Sequence, residues 1–187
     1  MIKLDDILQS LSESRNAPTN APNQPGLYAI YGSADVWQEL GLGDPPDDRP
    51  LYVGKAEKSL LGRDVKQHFG TGATGSSTVR RSFAALLKAK HNFTGIPRNP
   101  KKPGHFSNYG LPLEQCDKLT QWMRGRLLLG TWAPDEEADL DHWETQVLQV
   151  WKPPINLSKV KTPWSKRLKE LRKIMADEAR GYVGTGQ

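Results

Sequence analysis

A short apolar strand followed at once by a helix rich in cations is the feature that most restricts how this chain folds. Leu51–Val53 is the strand, Gly54 turns the chain, and a helical pattern runs from about Lys58 to Phe69. Another aromatic and β-branched segment, Gly26–Tyr31, precedes it across a loop rich in glycine and proline. Two strands separated by such a loop predict an antiparallel pair.

The remaining apolar patterns predict a third strand and several helices around this pair. The third strand is expected at 124–132, and helices are expected at 2–15, 79–90, 113–123, 135–151 and 164–180. The sequence therefore predicts an α+β fold, a small three-stranded antiparallel sheet flanked by helices, with an added C-terminal basic helix. We expect an N-terminal helix and linker, a main domain, and the basic helix with a frayed tail, over 1–23, 24–157 and 158–187.

Composition narrows the class of protein only modestly. The chain has 187 residues, a net charge of +5 and a single cysteine, Cys116. One cysteine excludes an intramolecular disulfide framework and favours a reducing compartment. No apolar run is long enough to span a bilayer, and the first residues carry acids, unlike a secretory signal. We therefore expect a soluble cytoplasmic protein that does not bind membranes; the sequence does not predict its oligomeric state.

Glu144 is the most informative carboxylate in the sequence. It lies in or beside the apolar stripe of the 135–151 helix, four residues after Leu140 and four before Leu148. A carboxylate held against an apolar face needs a cation, a proton or a hydrogen-bond donor. One interpretation is a glutamate paired with a lysine or a backbone amide. The other is a ligand for Mg²⁺, which takes oxygen ligands and often only one or two protein carboxylates.

Several side chains near the first two strands suit chemistry at a phosphate. A guanidinium such as that of Arg63 can clamp a phosphate through two hydrogen bonds, although a surface salt bridge is the commoner fate of an arginine. Tyr28 and Tyr52 are either core aromatics or, if a cation such as Lys55 lowers the pKa from about 10, general bases. His68 could relay protons near neutral pH, or it could serve a structural role.

A polar segment after this helix is a candidate phosphate contact. It combines backbone amides at the start of a helix with the hydroxyls of Ser76 and Ser77 and with two arginines, Arg80 and Arg81. The alternative is a helix cap followed by two solvated arginines.

The order of several short motifs resembles the GIY-YIG nuclease superfamily. Gly26-Leu27-Tyr28 and Tyr52-Val53-Gly54 stand where the two signature tripeptides of that superfamily stand, on the first two strands. Arg63 on the following helix, Glu144 on a later helix and Asn156 after it complete the set. The resemblance implies that Asn156 is a supporting polar residue on the substrate side of the site.

The resemblance also implies hydrolysis of a phosphodiester with one divalent ion, Mg²⁺ or Mn²⁺. It implies that Glu144 holds the metal and that Arg63 steadies the scissile phosphate. Tyr28 or Tyr52 would activate or orient the attacking water, and Lys55 would tune that tyrosine.

The resemblance covers about residues 24–157 and has three departures. The first tripeptide reads Gly-Leu-Tyr, and a longer loop separates it from the second. Many members carry a histidine or tyrosine four residues after the arginine, whereas Gln67 stands there and His68 follows one position later. On a regular α-helix, five residues place a side chain about 140° round from Arg63. This geometry predicts that His68 turns away from the site unless the helix is irregular.

The sequence therefore predicts a metal-dependent endonuclease acting on DNA, with RNA not excluded. The loop 95–110 and the basic run from Lys159 to Lys173 are candidate surfaces for the nucleic-acid backbone. One alternative is a catalytically inactive module that keeps the fold and binds nucleic acid. Another is a structural or protein-interaction domain whose charges are all solvated.

Overall fold

Three antiparallel strands form the sheet, in the order β2-β1-β3. They are β1 (Gly26–Gly32), β2 (Tyr52–Ala56) and β3 (Leu127–Trp132), in a computed structural model that describes residues 2–72, 74–99 and 107–182. Tyr28 of β1 pairs with Gly54 of β2 on one side and with Thr131 of β3 on the other. The predicted α+β fold with a three-stranded antiparallel sheet is confirmed.

Strand β1 is buried on both faces and separates two hydrophobic cores. Because successive side chains of a strand point to opposite faces, Tyr28 and Ile30 join one core and Leu27, Ala29 and Tyr31 join the other. The first core takes side chains from α2 (Ala34–Glu39), α3 (Thr78–His91), α4 (Leu113–Arg126) and α6 (Ser165–Gly181). The second takes side chains from α1 (Leu4–Glu13) and α5 (Leu140–Trp151). The sheet is therefore the middle of three layers.

Both outer strands of the sheet are covered by neighbouring chain segments. At the β3 edge, Asn16 and Leu129 exchange two backbone hydrogen bonds of 3.0 and 2.8 Å. At the β2 edge, the Asn156 side chain accepts a hydrogen bond from Val53 N at 2.9 Å and donates one to Val53 O at 2.8 Å. Because an uncovered edge offers unpaired groups to another chain, these contacts complete the sheet.

Two element boundaries differ from the sequence-based expectation. Helix α4 continues to Arg126, so the third strand begins only at Leu127. Helix α5 begins at Leu140 rather than near Asp135, because the Asp139 carboxylate caps it by accepting hydrogen bonds from two backbone N–H groups.

The segments that flank the sheet pack against it. Helix α1 contacts β3 and α5, and α6 contacts α3. The division into residues 1–23, 24–157 and 158–187 stays a prediction. Residues 100–106 of the basic loop and the tail 183–187 lie outside the described residues. Within the described part of the chain, no helix has the length and apolar character needed to cross a membrane.

Candidate active site

A cavity of about 570 Å³ opens beside strand β2 and collects most of the predicted catalytic residues. Its walls come from β1, from β2 and the chain that follows it, and from α5. The lining residues are Tyr28, Tyr52, Lys55, Ala56, Glu57, Lys58, Ser59, Gly62, Arg63, Gln67 and Glu144. Five of the residues singled out in separate parts of the sequence therefore share one cavity: Tyr28, Tyr52, Lys55, Arg63 and Glu144.

Gly54 makes room for the Tyr28 ring. A Cβ atom at position 54 would lie 2.5 Å from the Tyr28 hydroxyl oxygen and 2.6 Å from its Cζ. The Tyr28 and Tyr52 ring centroids are 6.0 Å apart, so the two rings lie side by side at the cavity. The glycine of the second tripeptide thus determines where the tyrosine of the first one lies.

We expect Gly54→Ala to destabilise the protein by ~1–3 kcal/mol, because the added methyl group must displace the Tyr28 ring from a packed position. Urea unfolding measures the change. Gly125→Ala in α4 is the control, since no atom lies within 4 Å of a Cβ there, and alanine favours a helix by up to about 1 kcal/mol. Equal stability of the Gly54→Ala and wild-type proteins would contradict the steric account.

The predicted helix after β2 is a π-helix over Leu61–His68. Hydrogen bonds in a π-helix run from residue i to residue i+5, so side chains five positions apart lie on the same side. Arg63 lines the cavity, and His68, five residues later, hydrogen-bonds to Tyr28, which also lines it. This is the irregular helix that the sequence left open, and in it His68 lies next to the cavity.

His68 connects Tyr28 to the start of α3 through two short hydrogen bonds. Its Nε2 lies 2.7 Å from the Tyr28 hydroxyl, and its Nδ1 lies 2.7 Å from the Ser77 hydroxyl. Burial, reinforced by the positive charges of Arg63 and Arg80, lowers the pKa of His68 to about 3. The imidazole is therefore uncharged at neutral pH, with one ring nitrogen donating and the other accepting.

Three of the residues predicted to bind substrate are buried in the protein, and their contact with substrate stays a prediction. Arg80 is fully buried, and its guanidinium donates to the carbonyl oxygens of His68 and Cys116. Arg81 is 7% exposed and donates to a backbone carbonyl at 2.6 Å. Ser77 is 1% exposed, caps α3 and contacts His68. Hydrogen bonds from Arg80 and Arg81 to backbone carbonyl groups, and the Ser77 cap, organise the turn before α3.

Asn156 is also bonded within the protein, and its predicted role at the substrate stays a prediction. It is only 4% exposed, and its side-chain amide bonds both backbone groups of Val53. It therefore holds β2 in place. Ser76, in contrast, is exposed, and its carbonyl oxygen accepts a hydrogen bond from Gln67 at 3.0 Å; substrate contact by Ser76 stays a prediction.

A chain of ion pairs runs along one side of the cavity. Lys55 Nζ lies 2.9 Å from Asp141 Oδ1 and 3.0 Å from Glu57 Oε1. Lys159 Nζ lies 2.8 Å from the same Asp141 oxygen and 2.6 Å from Glu144 Oε2. The hydrogen bonds that Lys55 donates to Asp141 and Glu57 raise the pKa of this lysine above its usual range. The lysine stays protonated at neutral pH, and its predicted effect on a tyrosine stays a prediction.

Asp141 was not singled out in the sequence. It stands three residues before Glu144, and residues at that spacing lie on the same face of a helix. This spacing is the signal that could have identified it as a neighbour of the site. Lys159 belonged to the basic run. The sequence offered a lysine partner for Glu144 as one interpretation, but it did not identify Lys159 as that lysine.

Two carboxylates line the cavity, Glu57 and Glu144, and Glu144 is the predicted metal ligand. Its side chain is 12% exposed and lines the cavity wall. Among the described residues, no group of three or more histidine, cysteine, aspartate or glutamate side chains could hold a metal ion unaided. This donor set fits Mg²⁺, which keeps several waters and completes its shell with substrate phosphate oxygens. It does not fit a closed zinc site.

Family comparison agrees with this geometry. The family model described as the GIY-YIG catalytic domain matches residues 46–174, more than half of the 187-residue chain. The matched region includes Tyr52, Arg63 and Glu144. No curated protein and no solved structure matches the chain. Because the match covers more than half of the chain, the chain belongs to the GIY-YIG catalytic domain family.

Proposed function

We propose that this protein is a metal-dependent endonuclease that hydrolyses phosphodiester bonds in DNA. Its family suggests nuclease activity in general. The observation that carries the proposal is that Tyr28, Arg63 and Glu144 face one cavity, with Tyr28 hydrogen-bonded to a buried, uncharged histidine. A proton acceptor, a guanidinium and an oxygen ligand for a metal are the groups that help water to attack a phosphate.

Arg63 would bind the scissile phosphate. Its side chain is exposed in the cavity, and its hydrogen bond to Gln67 Oε1 is long, at 3.5 Å. A guanidinium can form two parallel hydrogen bonds with phosphate oxygens, and these strengthen as charge develops in the transition state. The phosphate would therefore be held against the wall opposite α5.

Tyr28 would orient the attacking water and accept its proton. The step requires that Tyr28 has first released its hydroxyl proton to solvent. As the water oxygen then bonds to phosphorus, the bond from phosphorus to the leaving oxygen breaks, and the proton of the water moves to the Tyr28 oxygen. The leaving oxygen departs with a negative charge and takes a proton from solvent. An uncharged His68 that accepts from Ser77 at Nδ1 can donate from Nε2 to that oxygen and stabilise its deprotonated form. Tyr52, beside Tyr28, is the second candidate for this role.

Glu144 would hold the divalent ion, Mg²⁺ or Mn²⁺. Such an ion, when bound, would neutralise negative charge on the phosphate and stabilise the leaving oxygen. Lys55, which remains protonated, adds positive charge to the same cavity. Exposed cations on α6, namely Lys166, Arg167, Lys169 and Lys173, support a polyanionic substrate.

Cleavage assays on a panel of nucleic acids test this function. The purified chain is incubated with duplex, branched and single-stranded DNA and with RNA, in millimolar Mg²⁺ or in EDTA. We expect Mg²⁺-dependent cuts in at least one form of DNA. Cutting that persists in EDTA, or failure to cut every DNA form, would contradict the proposal.

A non-cleaving module that binds nucleic acid is the second candidate. The ion pair between Glu144 and Lys159 favours it, because the carboxylate proposed as a metal ligand already has a cationic partner. This candidate predicts salt-sensitive binding to DNA or RNA, without cleavage in Mg²⁺ or Mn²⁺.

A further inference from the structure

The proposed metal ligand is already paired with a cation from the protein itself. Lys159 Nζ donates to Glu144 Oε2 at 2.6 Å and to Asp141 Oδ1 at 2.8 Å. The Glu144 side chain is 12% exposed and that of Lys159 is 29% exposed, so the pair is partly shielded from water. A lysine ammonium therefore lies next to the carboxylate oxygen that a divalent ion would use.

The backbone holds Lys159 in this position. Its φ angle is +65°, in the left-handed region that residues other than glycine rarely adopt. The Gln149 side chain of α5 donates a hydrogen bond to the Lys159 carbonyl at 3.0 Å. Glu144, Asp141 and Gln149 all belong to α5, so one helix fixes both the backbone and the ammonium group of this lysine.

We propose that the Lys159 ammonium pairs with the Glu144 carboxylate in the metal-free protein and leaves it when a divalent ion binds. This lysine therefore sets the metal affinity of the site. The inference rests on the proposed function, in which Glu144 is the metal ligand. An ammonium and a divalent cation repel each other and compete for the same oxygen. Asp141 gives the displaced ammonium a second carboxylate, which lowers the free energy needed to release Glu144.

Metal titration of the 187-residue chain tests the inference without an activity assay. Mn²⁺ binding is measured by electron paramagnetic resonance for the wild type, Lys159→Met and Lys159→Gln. We expect both variants to bind Mn²⁺ about tenfold more tightly, which corresponds to the loss of one hydrogen bond to a charged group. Using two variants separates loss of the ammonium from any packing effect of one replacement.

Lys152→Met is the matched control. Lys152 also has a left-handed backbone, with φ of +46°, and it makes no ion pair with any residue that the structure describes. Its replacement removes the same charge and should leave Mn²⁺ affinity unchanged. Adding Glu144→Gln to Lys159→Met should abolish the gain in affinity, because the competed ligand is then absent.

Unchanged or weaker Mn²⁺ binding in both Lys159 variants would overturn the inference, as would a gain that survives Glu144→Gln. DNA cleavage by the wild type shows whether the proposed function is also wrong. If the wild type cuts DNA with Mg²⁺ while the Lys159 variants bind Mn²⁺ like the wild type, the proposed function stands and only the role of Lys159 is wrong. If no form of the protein binds Mn²⁺ or cuts DNA, both are wrong.

Discussion

Arg63→Ala should lower the single-turnover rate of DNA cleavage by ~10³-fold, the usual effect of removing a cation that stabilises the transition state of phosphate chemistry. The side chain lines the cavity and is exposed, so folding stability should change by no more than about 0.5 kcal/mol. Arg63→Lys should recover only part of the rate, because an ammonium keeps the charge but not the paired hydrogen bonds of a guanidinium.

Lys66→Ala controls for loss of positive charge on the same π-helix. Lys66 is exposed and does not line the cavity. We expect its replacement to leave the cleavage rate close to that of the wild type. If the two alanine variants lost activity equally, general charge rather than a phosphate contact would explain the effect of Arg63.

Tyr28→Phe should lower the cleavage rate by ~10²-fold or more, the range for loss of a general base. The hydroxyl is also the 2.7 Å partner of His68 Nε2, which is buried. Leaving that nitrogen without a partner should cost ~1–3 kcal/mol of unfolding free energy. Rate and stability are therefore both measured, by single-turnover cleavage and by urea unfolding.

Tyr31→Phe separates the two effects of the Tyr28 change. The Tyr31 hydroxyl donates to Leu11 O at 3.1 Å and is buried on the opposite face of β1. Its loss should also reduce stability, by about 0.5–1.5 kcal/mol, but should leave the cleavage rate unchanged. A wild-type rate for Tyr28→Phe would remove Tyr28 from the mechanism and make Tyr52 the remaining candidate.

The sheet and its central pairing could be predicted from sequence because the pattern of a strand is local. The aromatic and β-branched residues of Gly26–Tyr31 are buried on both faces of β1. Gly54, the last residue of the second tripeptide, pairs with Tyr28 in the register. The cavity residues on these strands followed from the same ordered motifs. The boundaries of α4 and α5 were less predictable, since capping by Asp139 depends on side-chain geometry.

The π-helix could not be predicted, because apolar spacing over eight residues does not distinguish one irregular turn from an α-helix. The sequence shows that five residues separate Arg63 from His68. Only the helix type explains why Arg63 lines the cavity while His68 contacts Tyr28 beside it. The doubt about His68 arose from applying the regular geometry of 100° per residue.

Arg80, Arg81 and Asn156 are buried in the fold, and sequence composition indicates burial poorly for polar residues. Arginine and asparagine are mostly exposed in proteins, so a role at the substrate was a natural expectation. In the fold, each of these side chains donates a hydrogen bond to a backbone carbonyl group. The contact between Glu144 and Lys159 was also hidden, because it depends on how a loop returns to α5.

Magnesium-dependent cleavage by the wild type beside Glu144→Gln tests the central claim, that a carboxylate of α5 holds the ion used in phosphodiester hydrolysis. The replacement keeps the size of the side chain and removes the negative charge. Single-turnover cleavage of a DNA that the wild type cuts is followed over a range of Mg²⁺ concentrations. The account predicts a rate that rises with Mg²⁺ for the wild type and no cleavage above background for the variant. A Glu144→Gln protein that cuts at the wild-type rate, with the same dependence on Mg²⁺, would contradict it.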